Sequence, residues 1–326
     1  MYSLNCAAQA RLPVFHPAEI TCFHTYPFSK PIHILCRIIC DYSRKKSCEV
    51  EITRFSSFDI MKIIMNSRIF DAIIEDYKKE LSSLAIAIGG SSAARSDDSL
   101  SDIDVYFFTE NEASPEKREE IVRKYASVYE IGDYFGPGDE FYSEALGRQI
   151  DAMFFDRNWF EEMFQNIWIR HYPSNGYTTA FLYTLRNFEI IYDPSGWLKK
   201  LRSGLDSPYP DELKRNIVRR NLMLMKYKPF ASYYEQTEKA VRRGDLVSVN
   251  HRTAAFLASY FDVLFAINGL LHPGEKRLVQ YAMEHCRILP ENFEQDISSL
   301  LSQSGTNLLK TMSEMSEKLK NLAEKY

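Results

Sequence analysis

Apolar residues recur at helical spacing in DIMKIIMNSRIFDAIIEDYKKEL, from Asp59 to Leu81, and Lys78, Lys79 and Glu80 close the run. The pattern then shortens. LAIAI (Leu84 to Ile88) reads as a buried strand, DIDVYFF (Asp102 to Phe108) as a second, YASVYEIGDYF (Tyr125 to Phe135) as a third and QIDAMFF (Gln149 to Phe155) as a fourth. SPEKREEIVRKYA, between the second and third, reads as an exposed helix with Ser114 as N-cap and Pro115 in its first turn. After Asn158 the periodicity is helical nearly throughout, punctuated by Pro, Gly and Asp. GYTTAFLYTLRNFEII (Gly176 to Ile191) is one of these helical stretches, and SVNHRTAAFLASYFDVLFAINGLL (Ser248 to Leu271) is the most apolar. The predicted fold class is α+β: a small α/β domain with a mixed sheet over 58–157, followed by an all-α domain over 158–326.

The first 57 residues break this regularity. Pro13, Pro17, Pro27 and Pro31 interrupt any long element. Five of the six cysteines and three of the seven histidines lie there, which raises a zinc module. Cys36-x3-Cys40 beside His33 is not the spacing of a complete zinc knuckle, so the expectation is an extension with no fold of its own. A start at Met61 or Met65 would explain the change in composition. Residues 1–60 carry seven Lys and Arg against five Asp and Glu, a balance of +2, leaving -6 of the total -4 to the remainder.

The chemistry concentrates in IAIGGSSAARSDDSLSDIDVYFF, from Ile86 to Phe108. Side chains two apart in a strand share a face, so Asp102 and Asp104 project together while Ile103 and Val105 turn to the core. Two crowded carboxylates repel unless a cation shares them. Mg²⁺ suits that need, because it binds through one or two carboxylates plus phosphate oxygens and water. Gly89 and Gly90 allow a left-handed backbone close to a ligand. The N–H groups that follow, with the hydroxyls of Ser91 and Ser92, can form an anion-binding nest. Asp151, polar between apolar neighbours, is a candidate third carboxylate. These features point to transfer of a nucleotide from a triphosphate.

Gly90-Ser91, a short polar loop and Ser101-Asp102-Ile103-Asp104, with Asp151 downstream, resemble the signature of the DNA polymerase β-like nucleotidyltransferase superfamily. The order of parts resembles its small-molecule members, such as aminoglycoside and lincosamide nucleotidyltransferases. FDVLFAINGLLHPGEKRL (Phe261 to Leu278) further resembles a bacterial group of stand-alone nucleotidyltransferases. Family members often have Gly where this chain has Arg95. The resemblance implies two Mg²⁺ ions on Asp102, Asp104 and Asp151, and ATP or another NTP as donor. It implies a hydroxylated small molecule as acceptor, attacking the α-phosphorus in line as pyrophosphate leaves. Asp151 is the first choice of base, with Asp139 and Glu140 behind it. Lys276, after Pro273-Gly274, is a candidate phosphate contact or an ordinary surface lysine.

Hydrophobic residues make up 45% and charged residues 26% of the 326, the balance of an ordinary globular protein. The acidic balance argues against nucleic acid. No apolar run is long enough for a bilayer, so a cytoplasmic protein is expected. Two rival readings stay open: a transferase acting on protein or RNA in a toxin–antitoxin-like system, and a catalytically silent member of the same fold. Tyr177, Tyr183 and the Phe256/Tyr260 pair are either core residues or stacking surfaces for a base or sugar.

Small segments rarely bury enough surface to offset their ordering entropy. A chain beginning at Met61 is therefore expected to fold and melt like the full chain. A large drop in Tm on that truncation would show that the extension is a structural part.

Overall fold

The computed structural model describes residues 33–40, 48–55, 57–81, 85–90, 102–110, 113–132, 138–229 and 231–325, with side chains from Arg68 onward. The chain divides into two units, Met1–Ile74 and Glu75–Tyr326. In the first, β1 (His33–Cys40) and β2 (Cys48–Phe55) pair antiparallel from His33 opposite Phe55 to Cys40 opposite Cys48. Helix α1 (Ser57–Leu81) begins in the first unit and ends in the second.

The second unit is built on a six-stranded mixed sheet. Its strands are β3 (Ala85–Ile88), β4 (Ile103–Thr109), β5 (Val128–Gly132), β6 (Gly138–Ser143), β7 (Arg148–Asp156) and β8 (Glu189–Tyr192), in the order β5-β6-β7-β4-β3-β8. Only the central β4–β7 pair is parallel; the other neighbours run antiparallel. The α+β class is therefore as the sequence predicts. The chain corrects the reading at two places. FEII ends not as helix but as β8, against β3, and the Gly/Pro-flanked DEF stretch is the paired strand β6.

Each face of the sheet is closed differently. On one, Tyr77 near the end of α1 packs its ring on Phe107 at 5.1 Å, Phe154 at 6.0 Å and Phe141 at 6.4 Å. Helix α2 (Pro115–Val122) covers the same face. Its Arg118 donates from Nε to Asp139 Oδ1 at 3.1 Å and lies over the Phe154 ring. The Tyr77 hydroxyl donates to Asp139 Oδ2 at 3.0 Å. Asp139, only 1% exposed, is thus paired on both oxygens. Pro115 pre-sets the first turn of α2, and Ser114 has the extended backbone of an N-cap without a side-chain capping bond.

On the other face, Ala85, Ala87 and Phe108 share one core with the helices that follow. Asp156 turns the chain out of β7 by accepting the Trp159 N–H at 2.7 Å, starting α3 (Arg157–Phe164). Phe160 and Phe164 of α3 enter this core. So do Leu182 and Leu185 of α4 (Ala180–Asn187), Leu198 of α5 (Trp197–Ser203), and Leu213 and Ile217 of α6 (Asp211–Met225). A second core surrounds α8 (Leu246–Ile267), whose residues from Ala258 to Ile267 are all buried, as expected of a helix apolar on every side. Around it stand α7 (Tyr233–Arg243), α9 (Leu278–His285), α10 (Phe293–Ser302) and α11 (Gly305–Ala323). Among the described residues, no helix is long and apolar enough to cross a membrane.

The Arg118–Asp139 pair is buried on both sides, so removing one partner strands a charge. Asp139→Ala is expected to destabilise the protein by about 3–5 kcal/mol. Urea unfolding measures this; a loss below about 1 kcal/mol, the range of exposed pairs, would contradict it.

Candidate active site

Strand β4 rises out of the core at its beginning. Phe108 is fully buried, Tyr106 and Asp104 are half-buried, and Asp102 is exposed. These four alternate onto one face. In the parallel register, Asp104 stands opposite Asp151 of β7. Asp151 also stands opposite Glu140 of β6, and Glu140 opposite Glu130 of β5. Side chains of register partners share a face, so four carboxylates form a row across four strands. Asp139 falls on the opposite face, tied to Arg118 and Tyr77, which removes it as a base candidate. Glu130 is absent from the sequence-based set; its period-2 partnership with Glu140 becomes visible only once β5 and β6 are paired.

The row is electrostatically strained. Burial pushes the Asp104 carboxyl up from its ordinary value, Asp151 and Asp102 push it further, and Lys276 pulls it down. Asp151 is raised first by burial and then by Asp102, against the pull of Gln149 and Lys276. The Gln149 amide donates to Asp151 Oδ1 at 2.8 Å. Glu140 is raised by burial, then by Asp151, Glu130 and Asp102. The charge of Asp102 thus acts on Asp104, Asp151 and Glu140.

The glycine turn lies directly against Asp104. Gly89 donates its N–H to the Asp104 carbonyl at 2.9 Å. A Cβ on Gly89 would stand 2.5 Å from the Tyr106 ring. Gly90 has φ +64°, and a Cβ there would stand 1.7 Å from Asp104 Oδ2. Both glycines are thus needed for close approach, and Gly90 also for its left-handed backbone. Ser91, Ser92 and Arg95 lie outside the described residues.

Lys276 comes from the helical part, on the loop joining α8 to α9, and its charge reaches both Asp104 and Asp151. Asp104 and Asp151 are the residues that could hold a hard cation. Among the described residues, which include Asp102, Asp104 and Asp151, no group of three or more His, Cys, Asp or Glu side chains is arranged to hold a metal ion. The sequence-suggested aromatics separate cleanly. Phe256 and Tyr260 are fully buried core, Tyr183 packs edge-on against Tyr281, and Tyr177 is 40% exposed with a left-handed φ of 54°.

Gly90→Ala is expected to cost more than the roughly 1–2 kcal/mol of a left-handed alanine alone, because its Cβ must displace the Asp104 carboxylate. Gly196→Ala is the control: Gly196 has φ +72° and open space around a Cβ. Equal losses for the two variants in urea unfolding would show that Asp104 yields without cost.

Residues 176–278 match the family model described as a domain of unknown function, DUF4037. Comparison with curated proteins returned no match. Among solved structures, the chain is similar to a nucleotidyltransferase-like protein from Exiguobacterium sibiricum 255-15. That match has 10% identity and a TM-score of 0.40, and covers 78% of this chain and 74% of that one. It is also similar to a spectinomycin adenyltransferase from Enterococcus faecialis, solved with ATP and spectinomycin. There the identity is 14% and the TM-score 0.28, over 78% of this chain and 99% of that one.

Proposed function

We propose that this protein transfers a nucleoside monophosphate from a nucleoside triphosphate to the hydroxyl of a small molecule. The observation that carries the reading is the in-register pair Asp104 and Asp151, with Gly90 pressed against one carboxylate and the charge of Lys276 acting on both. Crowded carboxylates beside a glycine turn fit a hard cation that keeps water and phosphate oxygens in its remaining positions, so a closed protein cage is not required. Asp104 and Asp151 would hold Mg²⁺, with its remaining positions left to water and phosphate oxygens. When bound, it supplies charge neutralisation between the carboxylates and the triphosphate.

The chain's own residues have separate tasks. Gly89 and Gly90 let the backbone approach the phosphates without a Cβ in the way. Lys276, whose charge acts on both carboxylates, meets the phosphate charge. Asp151, held by Gln149, is placed to accept the proton of the attacking hydroxyl. The α/β segment 58–157 carries the carboxylates, and the helical segment 158–326 carries the cation and faces the acceptor. Catalysis is then mostly positioning and charge balance.

The test is transfer of label from each α-labelled NTP onto a panel of hydroxylated small molecules, with Mg²⁺ and with EDTA. Transfer is expected only with the metal. Asp104→Asn and Asp151→Asn are each expected to lower it at least about 100-fold while Tm holds or rises, because neutralising one carboxylate relieves repulsion. Wild-type turnover in either variant would sink the reading. Label appearing only on protein or RNA of a cell extract would move the acceptor to a macromolecule.

A further inference from the structure

His272 is fully buried on the loop that carries Lys276, and its imidazole takes part in no step above. The Gly274 N–H donates to His272 Nδ1 at 3.2 Å, so that nitrogen carries no proton and the ring proton sits on Nε2. Nε2 is buried with no hydrogen-bond partner among the described residues. Burial pushes the imidazole pKa down to about 4, which keeps the ring neutral and Nδ1 free to accept at neutral pH. A buried histidine with one wasted donor is a costly way to fill space.

Its surroundings hold it in place. The His272 backbone N–H donates to Thr179 Oγ1 at 2.8 Å. The ring meets Phe265 edge-on at 5.0 Å and Tyr177 at 4.6 Å. The Thr178 N–H and hydroxyl donate to the buried Asp262 at 3.0 and 2.6 Å, and the Asn221 amide donates to the same carboxylate at 3.0 Å. The segment that receives His272 is therefore pinned to α6 and α8. From there the chain runs Pro273, Gly274, Glu275, Lys276. The Gly274 bond lies two residues before the lysine, and Gly274 has φ +101°, a conformation side chains disfavour.

We propose that His272 is a positioning residue: by accepting the Gly274 N–H it fixes the turn that aims Lys276 at the donor triphosphate. The proposal rests on the nucleotide-binding reading above. The test is equilibrium binding of MgATP, MgGTP, MgCTP and MgUTP, followed for the tightest of the four in variants whose Tm is measured in parallel. His272→Ala is expected to weaken binding about tenfold, and Lys276→Ala by a similar factor, the scale of one charge-assisted contact. The double variant is expected to bind no more weakly than Lys276→Ala, since residues acting through one another are non-additive. His272→Asn, whose Oδ1 can accept the Gly274 N–H, is expected to recover most of the loss, and Thr179→Val to reproduce part of it.

Additive losses would overturn the proposal, as would a His272→Ala variant with a lower Tm and unchanged affinity. If Lys276→Ala weakens binding and His272→Ala does not, this inference fails alone. If the wild-type chain binds none of the four, both it and the nucleotide reading fail.

Discussion

The parallel register of β4 and β7 sets two carboxylates side by side on one face, and the rest of the site follows from that crowding. Adjacent strands lie about 4.8 Å apart. Two unit charges at about 5 Å repel by roughly 3 kcal/mol at an effective dielectric of 20. Folding cannot spread them, because each is fixed by a strand whose next residues are core: Val105 and Phe107 on one side, Ile150, Ala152 and Phe154 on the other. A slip of one residue in either strand would relieve the charges but turn these apolar residues to water. Core burial, worth about 1.5–3 kcal/mol per large apolar side chain, therefore holds the register against the repulsion.

The same two-residue period explains how adjacent acids come to opposite uses. Asp139 and Glu140 are neighbours in β6. One turns inward, where Arg118 and Tyr77 satisfy both its oxygens; the other joins the row beside Asp151. Asp139 is kept by pairing and Glu140 by partial exposure to water. A carboxylate without either would be expelled or neutralised. The sheet therefore presents acid on the site face and hides the ion-paired Asp139 behind.

Much of this was legible in the sequence, and the residues that escaped did so for physical reasons. Asp102 and Asp104 stand out because polar residues at alternate positions interrupt a strand, and Asp151 because it is a lone acid among apolar neighbours. β8 escaped because four residues following a helical run do not define a period. β6 escaped because its inward positions include Asp139, so the alternation of apolar and polar is broken by a buried ion pair. Glu130 carries no local signal, since its place depends on pairing with Glu140. His272 looks like any single histidine; its burial and its bond to Gly274 arise from contacts with Thr179, Phe265 and Tyr177, which lie far away or at no fixed spacing.

The helical part then has a definite electrostatic task. On the site face the sheet contributes acid from β4, β7, β6 and β5, and among the described residues Lys276 is a cation whose charge reaches both central carboxylates. A lysine on a free loop would spread its charge over many positions, losing up to about 2 kcal/mol of rotamer freedom whenever it settled. Here the preceding turn is already ordered, and the order is traceable. Asp262 accepts from Thr178 and Asn221, and burial lifts its carboxyl to about 7 against those bonds. The next residue, Thr179, accepts from His272, which accepts from Gly274. Tyr177 is held in a left-handed backbone beside this chain of bonds, a strain that persists only where the surroundings over-determine it. The network spans α6, α8 and the segment before α4, so the turn before the lysine is tied to elements that build the core on the site face of the sheet. The lysine whose charge acts on the two carboxylates is thereby carried by a packed body rather than by a mobile arm.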